Sequence, residues 1–136
     1  MRVLITLLLF AGLLGSNKAA GQTAAIPDEI FLAFKAGNVE EISKYLNSTI
    51  ELVILDNEDF YTKKVAEGIL KEFFKEHQTN DFIIKHKGGK TESSYAIGNL
   101  KTQNGNFRVY FLIKRVDSKP LIHQLRIEKD SSGGDQ

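Results

Sequence analysis

From Ser93 to Lys129 the chain writes three long alternating segments, SSYAIGNLKTQ, NFRVYFLIKRV and PLIHQLRIEK. Only short turn signals separate them. Alternation of this kind marks strands buried on one face and wetted on the other. Connections so short make the three strands antiparallel neighbours. A sheet with one apolar face must bury it against another layer, so these residues already demand a helical cover. The best cover in the chain is TKKVAEGILKEFFKEH, residues 62–77. Its pairs Val65/Ala66, Ile69/Leu70 and Phe73/Phe74 recur every four residues and give a wide apolar stripe.

The turns predict a register. Asn104-Gly105 is a strong two-residue hairpin signal and pairs Gln103 with Asn106. That sets Leu100 opposite Val109, Gly98 opposite Phe111 and Ala96 opposite Ile113. A three-residue turn over Asp117, Ser118 and Lys119 sets His123 opposite Ile113 and keeps apolar residues on one side. The covered face then holds Leu100, Phe107, Val109, Phe111, Ile113, Leu121, Leu125 and Ile127, with His123 among them and in a row with Ile113, Ala96 and Ile84. Ala96 and Gly98 are small and leave room there, for a helix or for a cavity. The other face carries Tyr95, Ile97, Asn99, Arg108, Tyr110, Leu112, Ile122, Gln124 and Arg126. It is too apolar for a solvated face and suits a homodimer contact.

Earlier in the chain, IPDEIFLAFKAG reads as a helix, with Pro27 at its first position and Gly37 at its stop. Ile30, Phe31 and Phe34 form its apolar side. Asn38 opens a second helix with Glu41 three residues on, and Val39, Ile42 and Leu46 are its buried side. Ile50 to Leu55 is a strand, Asp56 to Asp59 a polar turn, and Phe60 to Thr62 a short return strand. Thr62 caps the long helix, and DFIIKHK is a further strand.

The first residues, MRVLITLLLFAGLLGSNKAAGQ, join Arg2 to an apolar run from Val3 to Leu14. That run is too short to span a bilayer and suits a signal peptide. Residues 1–21 are expected to be the signal, 22–25 a linker, 26–129 a single domain and 130–136 a disordered tail. There is no Cys, so disulfides, thiolate metal sites and Cys nucleophiles are excluded together. Losing Arg2 and Lys18 with the signal leaves 16 basic against 17 acidic residues, a net charge of −1. No bulk charge recruits nucleic acid.

The chemistry-bearing residues are few. There is no GxSxG, no HExxH and no Gly-rich phosphate loop. His86 and His123 lie three strand spacings apart, about 14 Å on a flat sheet, too far to share an ion. The acidic run Asp56 to Asp59 has Tyr61 where a calcium loop needs Gly. Lys85, Lys87 and Lys90 are a small basic cluster. Lys63, Glu67 and Lys71 are spaced as a solvated helix face. No metal or cofactor is expected. His123 has two readings. It is a neutral core imidazole with a bonded nitrogen, or a polar group lining a pocket with Ala96, Gly98, Phe111 and Ile113.

The order helix, helix, strand, short strand, long helix, four strands is similar to the nuclear transport factor 2-like (cystatin-like) fold. That is an α+β cone whose curved antiparallel sheet wraps a long helix. The pieces IPDEI, KAGN, ISKYLN, IEL, YAIGNL, FRVYFLIK and QLRIEK resemble a family of small exported Bacteroidetes proteins, domain of unknown function 4783. The resemblance implies the cone, export and an envelope setting, and brings no substrate or site. The expected function is a non-catalytic module binding a small apolar or anionic ligand or a partner. The alternative is an isomerase- or cyclase-like enzyme with His123 as base. The acid and Tyr pattern of the isomerases is not met.

Overall fold

The computed structural model describes residues 26–131. The proposed signal, the linker up to residue 25 and the last five residues lie outside them. Helix α1 runs Asp28–Ala36 and α2 Val39–Ser43. Gly37 ends α1 in the left-handed conformation (φ 63°), and the Asn38 N–H reaches back to Ala33 O. The Asn38 side chain accepts from Glu41 N at 3.2 Å and caps α2. Glu41 does not return the bond expected of a capping box; its carboxylate takes Lys44 Nζ at 2.6 Å. Helix α2 is one turn shorter than its pattern suggests, so Leu46 is buried as the first residue of a strand.

The strands are β1 (Leu46–Ile54), β2 (Asn57–Thr62), β3 (Thr79–Lys90), β4 (Ser93–Thr102), β5 (Gly105–Val116) and β6 (Lys119–Lys129). The long helix α3 (Lys63–Glu76) lies between β2 and β3 in sequence, and Thr62 Oγ1 accepts from Val65 N at its start. One sheet takes all six strands in the order β2-β1-β6-β5-β4-β3. β1 runs parallel to β6; every other pair is antiparallel. β1 is an interior strand, between β2 and β6, and carries the continuous apolar run LVI. Leu52, Val53 and Ile54 are all buried.

The last four strands form where expected, β1 begins four residues early at Leu46 and β2 three residues early at Asn57, and the registers differ. The β4–β5 turn is Gln103-Asn104, so Thr102 pairs with Gly105, Leu100 with Phe107, Gly98 with Val109 and Ala96 with Phe111. This is a two-residue slip, which keeps every side chain on its face. Asn104 takes the second turn position and from there closes α3: its Nδ2 donates to Glu76 O and its Oδ1 bonds His77 Nδ1. The β1–β2 turn is Leu55-Asp56 rather than Asp56 to Asp59. Leu55 is held at φ 53° by its N–H bond to Ile127 O and by packing on the core.

The β5–β6 turn is Asp117-Ser118, both with positive φ, and not the three-residue turn expected. Such a turn alone would set apolar against polar residues. A β-bulge restores the pattern. Ile113 pairs with Ile122, but Leu112 pairs with Gln124, and His123 has no partner between them. Ile122 therefore turns into the core, fully buried, and is not on the outer face. Leu121, opposite Lys114, moves to the outer side. A second bulge, between Ile84 and His86 on β3, sets His86 beside Ile97 and off the covered face. It also splits the basic cluster: Lys87 lies opposite Ala96 with its Nζ over the Phe31 ring at 5.7 Å.

Two helices share the covered face. Helix α3 buries Ala66, Leu70, Phe73 and Phe74. Its stripe is narrower than its sequence, for Val65 stays 50% exposed. Helix α1 drives Phe34 between Phe111 and Phe82, with ring centroids 5.4 Å from each. Lys71 and Glu67 pair at 3.3 Å on the solvated side of α3.

Candidate functional site

The residues expected to line a pocket are not brought together. Ala96, Phe111 and Ile113 sit in the packed core. The room beside Gly98 is taken by Phe82, whose ring would lie 2.5 Å from a Cβ at that position. His123 is on the opposite, outer face. The bulge re-aims its side chain, as bulges do at functional positions. Alternation places it in the core, because alternation cannot register an extra residue.

Around His123 the ladder is broken on both sides. On the β1 side, Leu46 pairs with Ile122 and Glu51 with Gln124, leaving Asn47 to Ile50 out of register. The two irregularities open a dent of about 250 Å³ in the outer face. Thr49 and Glu51 come from β1, Phe60 from β2, Leu112 and Lys114 from β5, and His123 and Gln124 from β6. Phe60 is 67% exposed at its rim. Glu51 and Lys114 make no ion pair with each other or with any other described residue. A second pocket, about 230 Å³, opens at the mouth of the cone between α3 and the β1–β2 hairpin. Leu52, Ile54, Asn57, Tyr61 and Ile69 line it. The signal for it was present in the half-exposed outer edge of the α3 stripe.

His123 is not the bonded core imidazole either. Its Nε2 is buried and has no hydrogen-bond partner. Burial, and then the charge of Lys114, hold its pKa below the ordinary 6.5. Burying an unsatisfied polar atom costs about 1–3 kcal/mol, whereas an apolar group of similar shape does not carry that cost. His123→Leu is therefore expected to stabilise the chain by about 1 kcal/mol at pH 8, measured by urea denaturation. The pH sign follows from the lowered pKa. The unfolded chain takes up the proton first, so the wild type loses stability as pH falls below 6.5 and through the lower folded value. The variant's advantage should widen over that window, and a constant advantage from pH 8 to pH 5 would refute the assignment.

The rest of the outer face is continuous with the dent. The Tyr95 and Tyr110 rings stack at 6.2 Å, next to Ile97 and Leu112. Arg126 pairs with Glu128 at 3.0 Å. Asn99 donates to Asp130 and leaves its Oδ1 buried and unbonded. Arg108, Tyr110, Leu112, Gln124 and Arg126 thus share this face as expected, without Ile122. Among the described residues no group of three or more His, Asp or Glu is placed to hold a metal ion. Of the acidic run, Asp56 lies in the β1–β2 turn and Asn57 to Asp59 are strand, where Asp59 accepts from the Phe60 N–H. No helix among those residues is long and apolar enough to cross a membrane.

A curved six-stranded sheet closed on one side by α1 and α3 defines the nuclear transport factor 2-like class. A Nostoc punctiforme protein of unknown function with a cystatin-like fold shares it, with TM-score 0.55 at 15% identity over 77% of this chain and 86% of that one. The chain belongs to the DUF4783 family, domain of unknown function 4783, whose model matches residues 27–128. It is similar to the DUF4783 family protein of Bacteroides ovatus, with 38% identity, TM-score 0.76, and coverage of 80% of this chain and 99% of that one. The Bacteroides fragilis member is alike, with 40% identity, TM-score 0.74, and coverage of 77% and 99%. No curated protein matches the chain.

Proposed function

We infer that the chain is an exported, non-catalytic association module that pairs with a second copy of itself through the outer face of its sheet. The observation that carries this is the unpartnered patch of Tyr95, Ile97, Tyr110 and Leu112. Charges of both signs flank it, with Arg108 beside the Arg126–Glu128 pair, as a two-fold contact requires for self-complementarity. Export rests on the Val3 to Leu14 run. Proton abstraction by His123 has less support, because its ring makes no hydrogen bond with a carboxylate or Tyr among the described residues.

Native mass spectrometry and light scattering of the purified chain test this reading. A dimer is expected at micromolar concentration. Tyr110→Glu sets a charge at the centre of the patch and should weaken pairing by about 2–4 kcal/mol, with the circular dichroism unchanged. A wild-type monomer at high micromolar concentration would overturn it.

A further inference from the structure

We propose that the dent at His123 binds a small zwitterionic peptide, a dipeptide with one apolar side chain. The proposal does not rest on the pairing of two copies; the dent adjoins the tyrosine patch and shares Leu112 with it. It starts from two opposite charges that line one space and do not neutralise each other. Glu51 and Lys114 both border the dent, and neither takes part in an ion pair. A cavity walled by one unpaired anion and one unpaired cation is complementary to a ligand carrying both signs.

The sheet fixes how far apart those signs must be. Glu51 pairs with Gln124, and Gln124 pairs with Leu112. Lys114 is two residues further along β5 on the same face. Two strand spacings of about 4.8 Å and two residues of rise therefore part the two backbones, roughly 12 Å in all. The side chains shorten that gap when they lean inward. The α-amino and carboxylate groups of a single amino acid are adjacent and too close to meet both. One intervening peptide unit supplies the missing length, about 3.5 Å per residue.

Between the two charges sits Gln124, whose carboxamide makes no side-chain hydrogen bond among the described residues. It offers one donor group and one acceptor, the complement of a peptide unit. Phe60 and Leu112 supply apolar walls for one side chain. At about 250 Å³ the dent is smaller than the roughly 300–1,000 Å³ of drug-sized sites, and it suits a ligand of dipeptide size. His123 is the floor. Its bulge opens the space, and its buried unbonded nitrogen is a cost that packing alone does not explain.

Calorimetry with glycyl-leucine on the purified chain tests the proposal. Glycyl-leucine should bind, while N-acetyl-glycyl-leucine, glycyl-leucine amide and free leucine each bind at least about tenfold more weakly. Glu51→Gln should remove the discrimination against the acetylated peptide. Lys114→Met should remove that against the amide, with Lys114→Arg restoring it. These are partly exposed positions, and circular dichroism checks that each variant is folded. No binding of glycyl-leucine at millimolar concentration would overturn the proposal. Equal binding of the capped peptides, or discrimination that survives both charge removals, would also overturn it.

Discussion

Gly98→Val is expected to destabilise the chain by roughly 1–3 kcal/mol. A Cβ at Gly98 would lie 2.5 Å and 2.6 Å from the Phe82 ring and 3.0 Å from the Ile83 carbonyl oxygen. Real side chains do not approach so closely. Valine adds two methyl groups to that Cβ, so the Phe82 ring must leave its place. Phe82 cannot leave cheaply, because it packs against Phe34 at 5.4 Å and is itself buried. The carbonyl is backbone and gives less still. Urea denaturation of the variant and the wild type measures the cost. The sign separates two pictures of the molecule. If Ala96 and Gly98 bordered a cavity, as the sequence allowed, valine would fill it and raise the midpoint. A raised midpoint would refute the packed interior described above.

The faces of the sheet were legible in the sequence because alternation is a local property of each strand. Phe107, Val109, Phe111 and Leu100 all point where the pattern sends them. The pairing of β4 with β5 was off by two residues, because Asn104-Gly105 looks like a turn centre while Asn104 is needed at the end of α3. Nothing local to the turn reports that demand. The parallel pairing of β1 with β6 was not legible either, since it joins residues far apart in the chain and has no turn to announce it.

His123 shows a sharper limit. Two-residue and three-residue turns after Val116 predict opposite faces for every residue of β6, and alternation alone favours the longer turn. The chain takes neither course throughout. It uses the short turn and then spends one residue on a bulge. That extra residue is the one whose side chain fits the core least. The polar residue at an apolar position in PLIHQ, Pro120 to Gln124, is the one local sign of a break in the ladder. The outer-face patch was legible, apart from Ile122, because it needs only the alternation. The dent was not, because it exists only where two ladder breaks, far apart in sequence, lie side by side.

Phe34→Ala is expected to have the largest effect on stability, a loss of about 3–5 kcal/mol. Phe34 is fully buried, stacked on Phe111 with the rings 9° from parallel and tilted on Phe82. Its removal takes away the apolar burial and leaves a cavity between α1 and the sheet that neither ring can close without losing its own contacts. The expectation is specific to the way two helices share the covered face. Were α3 alone the cover, α1 would be an appendage, and the same substitution would cost about 1 kcal/mol or less. Denaturation of Phe34→Ala beside Leu32→Ala, a residue of the same helix that is 62% exposed, measures the difference without changing helix propensity at one site only. A small and equal cost for both would remove α1 from the core. A large cost at Phe34 alone would keep it there. Glycyl-leucine binding by the folded fraction should then be unaffected, because Phe34 lies on the far side of the sheet from Glu51, Gln124 and Lys114.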